Sequence, residues 1–222
     1  MPQERRKLIS LVVPVFNEEE NIGPLYDAVV QVIPTMEDRY EFEIVFTDNH
    51  SSDGTFDKLW ELHQCDRRVR VFRFSRNFGY QKSILTGYLK ARGEALIQLD
   101  CDLQDPPELI PEFVRHWEEG AKVVYGVRRS RKEGALLQWG RRVFYRIANY
   151  LSEDELPLDA GDYRLIDRKV VDVLRQVDDA QPYLRGMIAA MGFRQQGIPY
   201  DRRGRERGVS VNRPGNCGGC LV

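Results

Sequence analysis

The first half of the chain alternates between short apolar runs and amphipathic segments, and this alternation limits the folds open to it. Five runs are short, apolar and rich in β-branched residues, as buried strands are: 8–16, 41–47, 69–74, 94–100 and 122–127. Helical patterns lie between them at 20–33, 54–64, 80–92 and 107–119. Near-continuous apolar strands separated by helices predict an α/β fold, with a mostly parallel central sheet flanked by helices. No further strand is predicted after residue 127.

The composition is typical of a soluble globular protein with one large domain. The chain has 222 residues, of which 42% are hydrophobic and 30% charged, and this length allows a sizeable core. Its four scattered cysteines suggest no disulfide framework, so we expect a reducing compartment. No window approaches 18 apolar residues and the N-terminus lacks a cleavage site, so we expect neither a membrane-spanning helix nor a signal peptide.

Basic residues are concentrated in two segments, although the net charge is only −1. Seven Lys or Arg and one acid lie between positions 128 and 146, and six Arg lie between positions 194 and 213 against two acids. Local basic patches of this kind suggest phosphate ligands or an anionic membrane surface.

Polar side chains follow the first two predicted strands, at the end of the sheet where α/β proteins bind ligands. Pro14 fixes the backbone before Asn17 and Glu18, which either bind a ligand or begin a helix with Asn17 as its N-cap. Asp48 could accept hydrogen bonds from a nucleobase or a ribose, although the Ser-Ser-Asp-Gly run that follows is also ordinary turn chemistry.

The acidic stretch LDCDLQDPPE follows the fourth predicted strand. Crowded carboxylates raise each other's pKa unless a cation or hydrogen bonds compensate. Asp100, Asp102 and Gln104 follow one another at two-residue spacing and offer the oxygen ligands that Mg²⁺ or Mn²⁺ prefers. A solvated acidic loop explains the same pattern, and this stretch alone does not decide between the two.

Six motifs in order and spacing resemble the family 2 glycosyltransferases, and more narrowly those that use polyprenyl phosphates. They are PVFNEEE, TDNHSSDGT, RNFGYQKSILTGY, LDCDLQDPPELIPEF, GVRRSR and GDYRLIDR, and the resemblance covers about residues 8–210. It implies a GT-A-type nucleotide-binding fold with a single catalytic domain over 1–210 and an atypical, disordered tail at 211–222. It also implies an inverting, metal-dependent transfer of a sugar from a nucleotide sugar, UDP- rather than GDP-linked, to a polyprenyl phosphate.

The resemblance also implies site residues. The nucleotide-sugar-binding positions are Pro14, Asn17, Glu18, Asp48, Asp100, Arg128, Arg131 and Arg205. Among them Asp48 matches an acid that contacts the base, and Arg128 and Arg205 match arginines that reach the diphosphate.

The resemblance further implies that Asp102 and Gln104 ligate the metal, Mg²⁺ or Mn²⁺, and that Asp162 is the catalytic acid near the reacting centre. A lipid phosphate carries about −1.5 to −2 charge near neutral pH and is already nucleophilic. We therefore expect Asp162 to orient the acceptor or to stabilise developing positive charge more than to remove a proton.

The segment 136–152 has the pattern of an amphipathic helix that lies on a membrane. Apolar residues recur there at helical spacing with arginines between them: Leu136, Trp139, Val143, Ile147 and Tyr150, with Arg141, Arg142 and Arg146. A helix packed in the core shows the same spacing, and the resemblance favours the membrane surface. We expect a peripheral protein at the cytoplasmic, inner face of the membrane. Its expected partners are a nucleotide sugar and a polyprenyl phosphate. We expect no nucleic-acid partner, and the sequence does not decide whether the protein forms a homo-oligomer.

The chain departs from the family pattern in three places. TDNHSSDGT lacks the other acid of an Asp-Asp pair and the glycine after it, and Val211-Asn212 replaces an expected Lys-Tyr. After the tail we expect none of the C-terminal membrane helices that many relatives carry. The alternative is a truncated, catalytically weak fragment or accessory protein that binds nucleotide or membrane. A nucleotidyltransferase also uses Asp-x-Asp and a metal, but PVFNEEE holds no glycine-rich phosphate loop.

Overall fold

The computed structural model describes residues 5–129, 160–177, 179 and 181–204. Seven strands in these ranges form one sheet in the order β3-β2-β1-β4-β6-β5-β7. The strands are β1 (Lys7–Val15), β2 (Tyr40–Asp48), β3 (Val69–Arg73), β4 (Ala95–Gln98), β5 (Val123–Arg128), β6 (Ala160–Asp167) and β7 (Gln195–Tyr200). Only β6 runs antiparallel to its neighbours, β4 and β5, so the predicted mostly parallel sheet is confirmed.

Helices flank the sheet on both faces. They are α1 (Glu19–Val32), α2 (Thr55–Cys65), α3 (Tyr80–Lys90), α4 (Ile110–Glu118), α5 (Arg168–Leu174) and α6 (Leu184–Ala190), with short 3₁₀ turns at Ile33–Thr35 and Pro107–Leu109. All four predicted helices are confirmed, as are the five predicted strands.

The central strand β1 is buried on both faces, which is why its sequence shows no alternation of apolar and polar residues. Ile9, Leu11 and Val13 belong to a core cluster that also contains buried residues of α1, α2 and α4. Val12 points to the other face and belongs to a second cluster with residues of α3, α5 and α6. The domain therefore has the three-layer arrangement that the alternation of strands and helices predicts.

Two strands, β6 and β7, lie where no strand was predicted, so the expectation that strands stop after residue 127 is wrong. In β6 the polar Arg164 stands between Tyr163 and Leu165, yet all three are buried. In β7 the sequence QQGIPY is polar and contains Pro199. A proline is tolerated in that strand because β7 lies at the edge of the sheet.

Helix α3 approaches the sheet closely through a glycine. A Cβ atom added at Gly87 would lie 2.3 Å from Cγ1 of Val12 on β1. One turn earlier, the Ser83 hydroxyl donates to Oγ1 of Thr47 on β2 at 2.9 Å. These two contacts fix α3 against the sheet and so fix the position of Tyr80, its first residue.

We predict that Gly87→Ala lowers the free energy of unfolding by about 1–3 kcal/mol, the usual cost of overpacking a core. The matched control is Gly23→Ala in α1, where an added Cβ meets nothing within 4 Å. That change should be neutral or stabilising by up to about 1 kcal/mol, since alanine is the better helix former. Urea denaturation of both variants measures the difference, and equal stabilities would contradict the close packing of α3 on β1.

A buried carboxylate holds together the edge of the sheet where β1 and β2 begin. Glu43 accepts hydrogen bonds from the Ser10 hydroxyl at 2.6 Å and from the Arg92 backbone N–H at 2.5 Å. It also pairs with Arg70 at 2.8 Å. Burial alone would raise the pKa of Glu43, but these hydrogen bonds and the charge of Arg70 outweigh it and hold the pKa below its ordinary value of 4.5.

A lowered folded-state pKa means that Glu43 stabilises the fold above its unfolded-state pKa, and that this stability is lost as the pH falls through the folded value. We predict that Glu43→Gln lowers the free energy of unfolding at pH 7 by about 1–3 kcal/mol. Below pH 4.5 the gap between variant and wild type should narrow. Urea denaturation from pH 7 to pH 3 measures it, with Glu41→Gln, at an exposed position near the start of β2, as control. A gap that is constant over this range would contradict the account.

Candidate active site

The topology gathers the candidate residues at one edge of the sheet. The carboxyl ends of β1, β2, β4, β5 and β7 meet there, together with the first residues of the antiparallel β6. Loops that are far apart in sequence therefore become neighbours at the edge where ligands bind in α/β proteins.

The loops after β1 and β2 are tied together by hydrogen bonds. Asn17 has a left-handed backbone (φ 54°), and its side-chain oxygen accepts from the Ser52 N–H at 2.9 Å. Glu18 occupies the N-cap position of α1, so the alternative prediction that Asn17 caps this helix is wrong. Pro14 lies in β1 opposite Thr47 of β2, two residues before these loops begin. Pro14 is thus buried in β1, and the partly exposed Asn17 and Glu18 follow it next to the end of β2.

Asp48 ends β2 as a fully buried carboxylate. Its Oδ1 accepts from the Ser51 N–H at 2.9 Å. Its Oδ2 lies 3.3 Å from Nε of Arg73 but accepts no hydrogen bond in the described part of the chain, so that contact is an ion pair only. The Arg73 guanidinium also lies 4.3 Å from the centre of the Phe56 ring. Oδ2 of Asp48 is therefore available as a hydrogen-bond acceptor, and the partly exposed Arg73 covers it.

The acidic loop after β4 turns back sharply on itself. Leu103 has a left-handed backbone (φ 56°), which is strained for a residue with a branched side chain. Within the loop, Oδ1 of Asp102 accepts from the Gln104 N–H at 3.2 Å. Asp102 and Gln104 are both partly exposed, whereas Asp105 is buried. The loop thus keeps two oxygen-bearing side chains accessible at the edge of the sheet.

Asp100 lies where several carboxylates come close together. Burial raises its pKa to about 6, and the negative charges of Asp105, Asp102 and Asp162 add to the rise against a hydrogen bond from Tyr80. The Tyr80 hydroxyl donates to Oδ1 of Asp100, and the Gln98 side-chain amide donates to the same oxygen at 3.0 Å. Two hydrogen bonds therefore hold the carboxylate of Asp100 in place within the acidic loop.

Arg128 brings positive charge to the same edge. Its Nε donates to the Tyr200 hydroxyl at 3.4 Å, and Tyr200 in turn donates to the buried Asp105. The guanidinium lies beside Gly161, where an added Cβ would make ordinary van der Waals contact with it at 3.5 Å. Arg202, two residues after the end of β7, has its Nε 3.6 Å from Oδ1 of Asp105. Burial raises the pKa of Asp105, against the hydrogen bond from Tyr200 and the charges of both arginines.

Asp162 is paired with an arginine that the sequence did not predict. Nε and Nη2 of Arg185, on α6, donate to the two carboxylate oxygens at 3.0 and 2.9 Å. Arg164 lies 3.7 Å away. The pair joins positions 23 apart, and no spacing rule connects a strand residue to a later helix in this way. Tyr80 lies in the motif RNFGYQKSILTGY, but nothing in that motif predicts its hydrogen bond to Asp100.

Asp100, Asp102, Asp162 and Arg128 are thus brought to one edge, with Asp48 and the β1 loop beside them. Arg131, Arg205, the segment 136–152 and the tail 211–222 lie outside the described residues. Within the described ranges no helix is long and apolar enough to cross a membrane. In the same ranges, no three His, Cys, Asp or Glu side chains are gathered as a metal site.

Comparison with known proteins agrees with this geometry. The family profile Glycosyl transferase family 2 matches residues 10–175. An uncharacterized glycosyltransferase, YkcC, of Bacillus subtilis is 40% identical over 90% of this chain and 61% of its own length. A bactoprenol glucosyl transferase of Shigella phage SfV is 36% identical over 91% of this chain and 66% of its own length. The chain thus spans somewhat less than two thirds of these relatives.

Solved structures share the fold. The mannosyltransferase PcManGT from Pyrobaculum calidifontis, in complex with GDP-Man and Mn²⁺, superposes with a TM-score of 0.63 at 19% identity, covering 88% of this chain and 56% of its own. TarS of S. aureus, in complex with UDP-GlcNAc, superposes with a TM-score of 0.58 at 18% identity, covering 88% of this chain and 59% of its own. The expected GT-A-type fold is therefore confirmed.

Proposed function

The chain belongs to glycosyltransferase family 2, and we propose that it transfers a sugar from a nucleotide sugar to a polyprenyl phosphate with inversion at the sugar carbon. Bactoprenol glucosyl transferases among its relatives support the lipid acceptor. The observation that carries the proposal is the crowding of carboxylates beside Arg128 at the edge of the sheet.

The site residues fit a divalent cation held together with a diphosphate. The pKa of Asp100 is raised to about 6 by burial and by three neighbouring carboxylates, and Oδ2 of the buried Asp105 accepts no hydrogen bond from the described residues. Both features mark negative charge that the described side chains do not fully balance. Asp102 and Gln104 would hold Mg²⁺ or Mn²⁺, which leave open positions for phosphate oxygens. When bound, such an ion stabilises the negative charge on the leaving diphosphate.

Some site residues bind the nucleotide sugar, and others act on the lipid acceptor. Arg128 binds the diphosphate, and the family pattern adds Arg131 and Arg205 to it. A lipid phosphate is nucleophilic without a general base. Asp162, fixed by Arg185, therefore orients the acceptor and stabilises the oxocarbenium-like sugar carbon. Attack from the side opposite the leaving group inverts the anomeric centre.

Asp48 ends β2 with an oxygen that could accept a hydrogen bond from a base. Its Oδ1 accepts from the Ser51 N–H, while its Oδ2 accepts no hydrogen bond from the described residues. Oδ2 would accept the ring N–H of uracil, and the choice of a UDP-linked over a GDP-linked donor follows from the resemblance to the family. Arg73 must shift away from Oδ2 when the base binds.

The expected setting is the cytoplasmic face of the membrane. Positions 128–146 carry seven basic residues against one acid, and each basic residue near an anionic lipid surface contributes about 1 kcal/mol. The segment 136–152 makes the membrane contact, within one catalytic domain over 1–210. The tail 211–222 has no assigned part in the reaction.

The experiment is an assay of UDP-glucose and GDP-mannose with undecaprenyl phosphate and Mn²⁺ or Mg²⁺, with detection of lipid-linked sugar. We expect product from the UDP-linked donor. Asp102→Asn should lower turnover at least about 100-fold, because it removes a charged ligand of the ion that stabilises the leaving group. Its melting temperature should stay near that of the wild type, because Asp102 lies in a partly exposed loop.

The matched control is Asp38→Asn, an exposed acid in the turn before β2, at the opposite edge of the sheet. It should leave turnover unchanged. Full activity in excess EDTA, or unchanged activity of Asp102→Asn, would refute the metal assignment. Nucleotide binding without product from any donor would favour the alternative of a binding protein.

A further inference from the structure

The partner of Asp162 has its own access to solvent. The Arg185 side chain is 40% exposed, whereas that of Asp162 is 16% exposed. Asp162 takes two of the five N–H donors of the guanidinium, through Nε and Nη2. Among the described residues no other group accepts from Arg185. The guanidinium is therefore partly exposed to solvent and has N–H donors that Asp162 does not use.

Helix α6 is anchored to the start of α3 beside the donor site. The Leu184 N–H, one residue before Arg185, donates to the Gln81 side-chain oxygen at 3.3 Å. Gln81 follows Tyr80, whose hydroxyl donates to Asp100. The contact at Gln81 thus brings the start of α6, and Arg185 with it, next to the segment that carries Tyr80 and so close to the carboxylates.

Exposed aromatic rings lie on the two segments that this contact joins: Tyr183 directly precedes α6, and Phe78 and Tyr80 lie at the start of α3. Phe78 is 39% exposed, Tyr80 39% and Tyr183 56%; we call these three residues the aromatic surface. Two further cations adjoin it: the Arg76 guanidinium lies 4.3 Å from the centre of the Phe78 ring, and Nζ of Lys82 lies 6.0 Å from it. Exposed rings with basic neighbours suit a ligand with an anionic head and an apolar chain, as at a membrane interface.

We propose that Arg185 binds the phosphate of the lipid acceptor while Asp162 holds the guanidinium in position, and that Phe78 and Tyr183 contact the first isoprene units. The inference rests on the proposed function and names the acceptor subsite within it. A phosphate oxygen attacks the sugar carbon, and the bond from that carbon to the diphosphate breaks. The nucleoside diphosphate leaves with the bonding electron pair, and no proton need be removed from a dianionic acceptor.

Arg185→Gln should raise the KM for undecaprenyl phosphate at least tenfold and change the KM for the nucleotide sugar less than twofold. The KM of Arg185→Lys for undecaprenyl phosphate should lie between those of the wild type and Arg185→Gln, because lysine keeps the charge and loses the planar fork of donors. The matched control is Arg39→Gln. Arg39 also pairs with a carboxylate, Glu118 at 2.8 Å, but it lies just before β2 at the opposite edge, and both KM values should stay unchanged.

A double variant separates phosphate binding from mere positioning of Asp162. If Arg185 acts only through Asp162, Arg185→Gln has no further effect on the acceptor KM in an Asp162→Asn background. The proposal predicts that the effect persists there. Phe78→Ser and Tyr183→Ser should raise the KM for undecaprenyl phosphate and for farnesyl phosphate alike, because farnesyl phosphate already carries the first isoprene units, and should leave the KM for the nucleotide sugar unchanged. Equal effects on donor and acceptor KM, or loss of the Arg185 effect in the double variant, would overturn it.

Binding of farnesyl phosphate, measured without turnover, distinguishes this inference from the proposed function. Weaker binding to Arg185→Gln than to wild type supports the subsite even if no lipid-linked sugar forms. Product formation by the wild type with equal farnesyl phosphate binding to both proteins refutes the subsite and leaves the proposed function standing. Because Arg185→Gln loses a pair with Asp162, thermal denaturation should accompany each measurement, and Arg185→Lys provides the comparison if Arg185→Gln does not fold.

Discussion

Repulsion among carboxylates at the end of β4 is the constraint on which the rest of the site depends. Burial and three neighbouring acids raise the pKa of Asp100 to about 6, and the nearby Asp105 is buried with one unsatisfied oxygen in the described structure. Such crowding is tolerated only where donors and cations converge on it. Tyr80, Tyr200 and Arg128 supply part of this compensation, and a divalent ion with its diphosphate would supply the remainder.

The packing of α3 links this electrostatic balance to the core. Gly87 allows the helix to approach β1, and its position fixes Tyr80 against Asp100. The same end of α3 anchors α6 through Gln81, and α6 carries Arg185 to Asp162. One helix therefore positions both Tyr80, beside the carboxylates that would bind the nucleotide sugar, and Arg185, beside the proposed acceptor subsite. A small shift of α3 would disturb both.

The sequence predicted the parts of the fold in which burial leaves a local pattern. The strand β1 is apolar throughout because both of its faces are buried, and the acidic stretch was visible because carboxylates are adjacent in sequence. β6 and β7 were missed because Arg164 and Pro199 interrupt the patterns that identify strands. Asn17 was a plausible helix cap, but tertiary hydrogen bonds to the β2 loop hold it outside the helix. The pairs Tyr80–Asp100 and Asp162–Arg185 cross from one element to another, and no local signal predicts them.

The most direct test of this account is the affinity of the protein for UDP, measured by isothermal titration calorimetry in Mn²⁺ and in excess EDTA. If a divalent ion completes the charge balance at the carboxylates, UDP should bind at least about tenfold more tightly in Mn²⁺, because its diphosphate otherwise meets uncompensated negative charge. Equal affinity in Mn²⁺ and in EDTA would contradict the account, since the arginines alone would then suffice to hold the diphosphate.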